Sequence, residues 1–236
     1  MNRGTEYRYE AASVAGFIQQ LAVSYLTNNY WFYVMGYIPE GKDPRSTDKR
    51  ILEKYGIAVS KFTRYRRKGT GQANLQYLRH DRTFLILATH GKHPLFEAEA
   101  QNIRDARRVP IKYRGYAVGY RAERPCVRIE RETYKGLKAY FEGIAAKRTI
   151  DDLVSEFRAL PYEPYAPVRV QHFRLLRLVN KRRQLASLLP VPQSAVRARR
   201  RIVTVFTGIE ETSGLVNVRN AETTTFPRCG DDEATS

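Results

Sequence analysis

Apolar residues recur along the chain at two different periods, and each change of period marks a new element. Val14, Phe17, Ile18, Leu21 and Tyr25 follow helical spacing, so residues 11–27 are predicted to form an amphipathic helix that Asn28 and Asn29 end. Residues 30–38 are rich in aromatic and β-branched side chains and read as a buried strand. After a loop at 41–45, Ser46 is expected to cap a helix with Ile51, Leu52 and Tyr55 on its apolar side and Gly56 as its stop. Residues 57–65 read as a second strand, which leaves through Arg66, Arg67 and Lys68 into a loop ending at Gly71.

Residues 75–80 and 83–89 pattern as a hairpin around Asp81 and Arg82. Its second arm is apolar on both faces, with Phe84, Ile86 and Ala88 on one and Leu85 and Leu87 on the other, so it should be a central strand covered on both sides. Pro94 suits the first turn of a helix running to about residue 107. Segments 111–113 and 116–120 flank a tight turn at Arg114 and Gly115, and 127–129 is one more short strand. Tyr134, Leu137, Phe141 and Ile144 mark a helix, and two more are expected at 151–160 and 168–189. The order predicts an α+β protein with an antiparallel sheet and helices mainly on one face. Residues 1–148 would form the α+β core, 149–207 a basic helical extension, and 208–236 a disordered acidic tail.

Charge then narrows the partners. Of 236 residues, 41 are Lys or Arg and 24 Asp or Glu, a net charge of +17. The last 35 residues hold two basic and six acidic groups, so the body up to Arg201 carries +21. That surplus points to a polyanion and away from a neutral metabolic enzyme. The two cysteines, Cys126 and Cys229, are far apart, and there is no paired Cys motif of the kind that holds zinc. With no apolar run near the ~20 residues of a membrane span and no signal-peptide pattern at the start, a cytoplasmic location without a membrane partner is expected.

Basic residues are interleaved with aromatics in two blocks, a pattern that suits phosphate neutralisation and base stacking. One block holds Lys61, Phe62, Arg64, Tyr65, Arg66, Arg67 and Lys68. The other holds Lys112, Tyr113, Arg114, Tyr116, Tyr120, Arg121, Arg124 and Arg128. A third basic segment has Arg174, Arg177, Lys181, Arg182 and Arg183 on the predicted C-terminal helix, and no acidic residue occurs between 169 and 201. These residues are the candidate nucleic-acid contacts, and DNA is placed ahead of RNA. Replication or mobile-element processes are the expected setting, with a structural RNA-binding role in a ribonucleoprotein as one alternative.

Residues 114–120, RGYAVGY, resemble the main ribonucleoprotein motif of RRM domains, with one aromatic missing after Ala117. Residues 32–37, FYVMGY, resemble its companion motif. The resemblance implies a ferredoxin-like sheet with an aromatic face. The sheet-plus-helix order also resembles that of the HUH endonucleases, which implies a tyrosine nucleophile and a divalent cation, Mg or Mn, held by histidines. Tyr134 and Tyr140 are the available tyrosines, and His80, His90 and His93 the available ligands. In that family two histidines alternate on one strand, whereas His90 and His93 are three apart. No cofactor is expected outside this enzymatic alternative. A turn histidine with its hydrogen bond satisfied is the ordinary alternative for each of the three.

Overall fold

The computed structural model describes residues 7–206. The expected disordered tail lies outside those residues. In chain order the elements are α1 (Val14–Gln19), β1 (Phe32–Tyr37), α2 (Pro44–Lys54), α3 (Lys61–Gly69), β2 (Leu75–His80) and β3 (Thr83–Ala88). They continue with α4 (Leu95–Ala98), β4 (Arg104–Asp105), β5 (Ile111–Tyr113), β6 (Tyr116–Arg121), β7 (Arg124–Ile129), α5 (Arg131–Ile144), α6 (Ile150–Ala159) and α7 (Ala166–Leu185). The result is α+β with two antiparallel sheets, ordered β2-β3-β1-β4 and β5-β6-β7.

β3 is central in the larger sheet, pairing with β1 and with β2, as its two apolar faces require. Leu85 and Leu87 pack with Tyr33 and Leu78 against Phe17, Ile18 and Leu21 of the N-terminal helical segment. Ile86 and Ala88 pack with Val34, Leu75 and Tyr77 against Tyr55, Ile57 and Leu95. Helices therefore cover both faces of this sheet, not mainly one. The N-terminal segment continues from α1 as a π-helical turn over Gln20–Tyr25 and a 3-10 turn over Leu26–Asn28. Asn29 ends it in the left-handed conformation, which asparagine tolerates well.

Three local expectations are corrected. Asp43, not Ser46, caps α2, because its carboxylate accepts from the Arg45 and Ser46 amides and Pro44 fills the first helical position. The segment read as a strand at 57–65 contains the start of α3: the Ser60 hydroxyl accepts from the Thr63 amide at 3.1 Å and nucleates the helix there. The helix starting near Pro94 stops at Ala98, and the chain then extends to pair β4 with Phe32 and Tyr33.

The larger sheet is tied to α2 by a buried ionic network. Asp48 is fully buried, and its carboxylate accepts from Arg79 Nε at 2.9 and 3.1 Å and from the Tyr77 hydroxyl at 2.6 Å. Arg79 also reaches Glu10 at 2.9 Å, at the rim. Burial and the adjacent Asp48 push the Tyr77 hydroxyl well above its ordinary pKa, so it remains a donor.

The smaller sheet presents Tyr116, Val118, Val127 and Ile129 to the core that α1 shares. Arg114 and Gly115 make the expected turn between β5 and β6, both at positive φ. Gln171 of α7 closes the edge of β7: its amide accepts from Ile129 N at 2.8 Å and donates to Ile129 O at 3.1 Å. A second helical core joins α5, α6 and α7, with Phe141 stacked on Phe157 at 4.4 Å. Beyond α7, the chain returns to the N-terminal helix. Gln19 donates to Val203 O at 2.9 Å, Ala12 N donates to Val205 O at 2.8 Å, and Ala11 bridges Phe206.

Candidate nucleic-acid interface

α3 collects the first basic block on one short helix. Arg66, Arg67 and Lys68 occupy its last turn, where positive charge complements the helix dipole. Its inner side is fastened by hydrogen bonds and a cation–ring contact. Asn74 donates to Arg64 O at 2.9 Å, Arg67 donates to Gly56 O at 3.3 Å, and the Arg64 guanidinium lies 5.8 Å from the Tyr7 ring. No residue of α3 is buried. Phe62 is 69% exposed and Tyr65 77%, so neither ring serves the core. With Arg66 they fall at i, i+3 and i+4 on one stripe, and Lys61 and Lys68 lie beside them. Cations and wet aromatic faces are thus presented side by side.

The second block is divided. Arg114 is exposed and reaches Asp81 at 3.2 Å, and Arg121 is exposed at the end of β6. Tyr120 is part-buried, donates to Glu123 O at 2.8 Å and packs its ring 5.4 Å from Trp31. Tyr116 is only 2% exposed; its hydroxyl accepts from Glu163 N at 2.7 Å and donates to Pro161 O. It is therefore a core residue and leaves the candidate interface. The two segments that resemble RRM motifs lie in different sheets, β6 in the smaller and β1 in the larger. The sheet face carrying Tyr33 is covered by the N-terminal helix, so no open aromatic platform forms there.

On α7, Val168, His172, Leu175, Leu176 and Val179 face inward. Arg177 and Lys181 are exposed along an open groove of about 530 Å³ that Ser187 and Leu188 complete. Arg174 is exposed on the same helix. Arg182 pairs with Glu142 of α5 at 3.0 Å. Arg183 is buried and is corrected from a phosphate contact to a structural residue. Its guanidinium donates to Leu189 O at 2.6 Å, Arg148 O at 2.9 Å and Ala145 O at 3.0 Å. Arg183→Ala strips three carbonyls of their donor and should cost about 3 kcal/mol. Urea unfolding checks this, and the same stability with weaker oligonucleotide binding would restore Arg183 to the interface.

The histidines do not converge. His80 pairs with Thr83 at the hairpin turn, while His90 and His93 follow the other end of β3, roughly 15 Å or more away along the strand. His80 is buried, with Nδ1 2.7 Å from the Tyr113 hydroxyl and 3.3 Å from Asp81, and burial lowers its pKa. His93 Nδ1 accepts from Leu95 N at 3.1 Å, and its pKa falls through burial and nearby Arg67. His90 is exposed. Among the described residues no group of three or more His, Cys, Asp or Glu side chains could hold a metal ion. The expected ligand set of His80, His90 and His93 is therefore not assembled.

Tyr134 donates to Gln171 O at 3.3 Å, and burial raises its pKa. Tyr140 is exposed, and the neighbouring Glu156 carboxylate raises its pKa. Both shifts run opposite to the lowering that would activate a tyrosine nucleophile. Sequence reasoning also passed over Arg107. Its guanidinium stacks 4.3 Å from Trp31 and pairs with Asp105 at 2.7 Å. The signal was available in the run Arg104, Asp105, Arg107, Arg108, but it lay inside the expected helix.

Among the described residues no helix is long and apolar enough to cross a membrane. No protein-family model matches the chain, and comparison with curated proteins finds no match.

Proposed function

We propose that the protein binds nucleic acid, DNA ahead of RNA, and that α3 is its principal contact with unpaired bases. The observation that carries this reading is the exposure of Phe62 and Tyr65 on a cationic helix that contributes no buried residue. Stacking gives such rings a partner that water does not, and the adjacent cations meet the backbone phosphates. The all-antiparallel order β2-β3-β1-β4, with helices in both crossovers, supports a ferredoxin-like reading of the larger sheet. It differs from an RRM in that its second face is filled by α1 and the smaller sheet. Single strands are favoured over duplexes, because the α3 rings need unpaired bases.

The test is the affinity for a single-stranded random oligonucleotide across salt. If Lys61, Arg66 and Lys68, the cations on the outer side of α3, each neutralise one phosphate, the log–log slope is about −2.1, a loss of roughly twentyfold between 50 and 200 mM salt. A flat plot rejects the proposal. Matched duplex DNA and RNA strands measured in parallel report strand state and sugar preference.

A further inference from the structure

The outer face of the smaller sheet carries a second cationic feature, separate from α3 and independent of the reading above. Along β6 and β7, Ala117 lies opposite Arg128 and Gly119 opposite Cys126, so these side chains share the face turned away from the core. The turn between β4 and β5 closes over that face. A Cβ at Gly119 would lie 2.9 Å from Ala106 O, so only glycine lets the turn come down this far. The closure brings Arg107 and Arg108 above the sheet, facing Arg121 and Arg128 across a cavity of about 60 Å³. A water's share of liquid volume is about 30 Å³, so the space exceeds a single solvent molecule.

No carboxylate lines this cavity. Of its four arginines, Arg107 is paired, with Asp105. Arg128 meets the Cys126 sulfur at 3.3 Å, a weak acceptor for a guanidinium. Arg108 and Arg121 are exposed and make no ion-pair contact within 4 Å among the described residues, although the Asp105 charge also acts on Arg108. Four arginines line a concave floor of small side chains, and Asp105 is the carboxylate set against them, so positive charge is in surplus and a bound anion offsets it. The planar N–H forks of the arginines match the geometry of a tetrahedral oxyanion. We propose that this cavity binds a phosphate group. It could come from free phosphate or a small phosphate ester, or from the terminal phosphate of a nucleic-acid strand.

The full chain is titrated with inorganic phosphate at constant ionic strength, with chloride as the reference, and thermal unfolding is followed. Phosphate should raise Tm where chloride does not, because a ligand of the folded state stabilises it. Arg121→Gln and Arg128→Gln should each weaken phosphate binding by roughly tenfold, and together remove the Tm response. Phe62→Ala with Tyr65→Ala should leave it intact, which separates failure of this site from failure of the α3 interface. Paired oligonucleotides with a 5′-phosphate or a 5′-hydroxyl identify the source. A preference for the phosphorylated strand that vanishes in Arg121→Gln assigns a strand end, and equal affinity with a phosphate response assigns the free ion or a small ester. A wild-type chain indifferent to phosphate, or a response unchanged in the arginine variants, overturns the proposal.

Discussion

Asp48→Ala should destabilise the protein by about 3–5 kcal/mol, the cost of removing one member of a buried ion pair. For a chain of this size that corresponds to roughly 10 °C in Tm. Asp48 has no exposed surface and Arg79 is 3% exposed, so water cannot replace the lost carboxylate. The Arg79 guanidinium would keep Glu10 at the rim and the Asp81 carbonyl at 2.7 Å, but two inward N–H···O contacts would be lost. The Tyr77 hydroxyl would also lose its 2.6 Å acceptor. Asp48→Asn keeps an acceptor for Tyr77 while removing the charge, so it should fall between wild type and alanine. Urea denaturation of the three proteins measures the series. A loss below about 1 kcal/mol for Asp48→Ala would mean that the carboxylate earns no more than a surface pair.

Replacing Phe62 and Tyr65 together by alanine should weaken single-strand binding by roughly a hundredfold, since stacking contributes about 1–3 kcal/mol per base. Stability should stay within about 0.5 kcal/mol of wild type, the range for surface positions free of special contacts. That separation of effects is the signature of rings kept for a ligand. Lys61→Gln with Lys68→Gln should instead lower the salt slope by about 1.4, with two fewer phosphates neutralised. Fluorescence anisotropy at several salt concentrations reads both. Unchanged affinity in the double-alanine protein would remove α3 from the interface.

Much of the architecture could be read from local pattern. The double-faced apolar strand β3, the hairpin at Asp81, the turn at Arg114 and Gly115, and the helices around Phe141 and Leu175 all announce themselves by period or by turn chemistry. The failures have two causes. In 57–65 the β-branched Ile57 and Val59 outweighed Ser60, whose hydroxyl starts a helix, and the Phe62–Tyr65 spacing of three was passed over. After Pro94 the composition permits a helix, but pairing of Arg104 and Asp105 with β1 takes those residues into a strand, a tertiary choice invisible locally.

The candidate site was legible as charge and not as accessibility. Tyr116 and Arg183 sit in blocks indistinguishable by sequence from Tyr120 and Arg182. Their burial follows from Glu163 N, Ala145 O and Leu189 O, which arrive from elsewhere in the chain. The Asp48–Arg79 pair spans 31 residues and carries no local mark at all. Conversely, Arg107 falls at the end of the expected helix and Arg108 just past it, and only the descent of their turn onto Gly119 places them above the smaller sheet.

The return of the C-terminal segment to the first helix sets an order on biosynthesis. Gln19 finds its partner Val203 across 184 residues of chain. Gly16 is left bare so that Val205 can approach: a Cβ there would lie 3.2 Å from the Val205 backbone. During translation the first helix emerges early, with its seam for this strand unfilled, and both sheets and the helical core must be made before the seam can close. The last segment described therefore cannot dock until the rest of the described chain has been synthesised. Until it does, a nascent chain carries its basic surfaces while one side of its oldest helix still faces water.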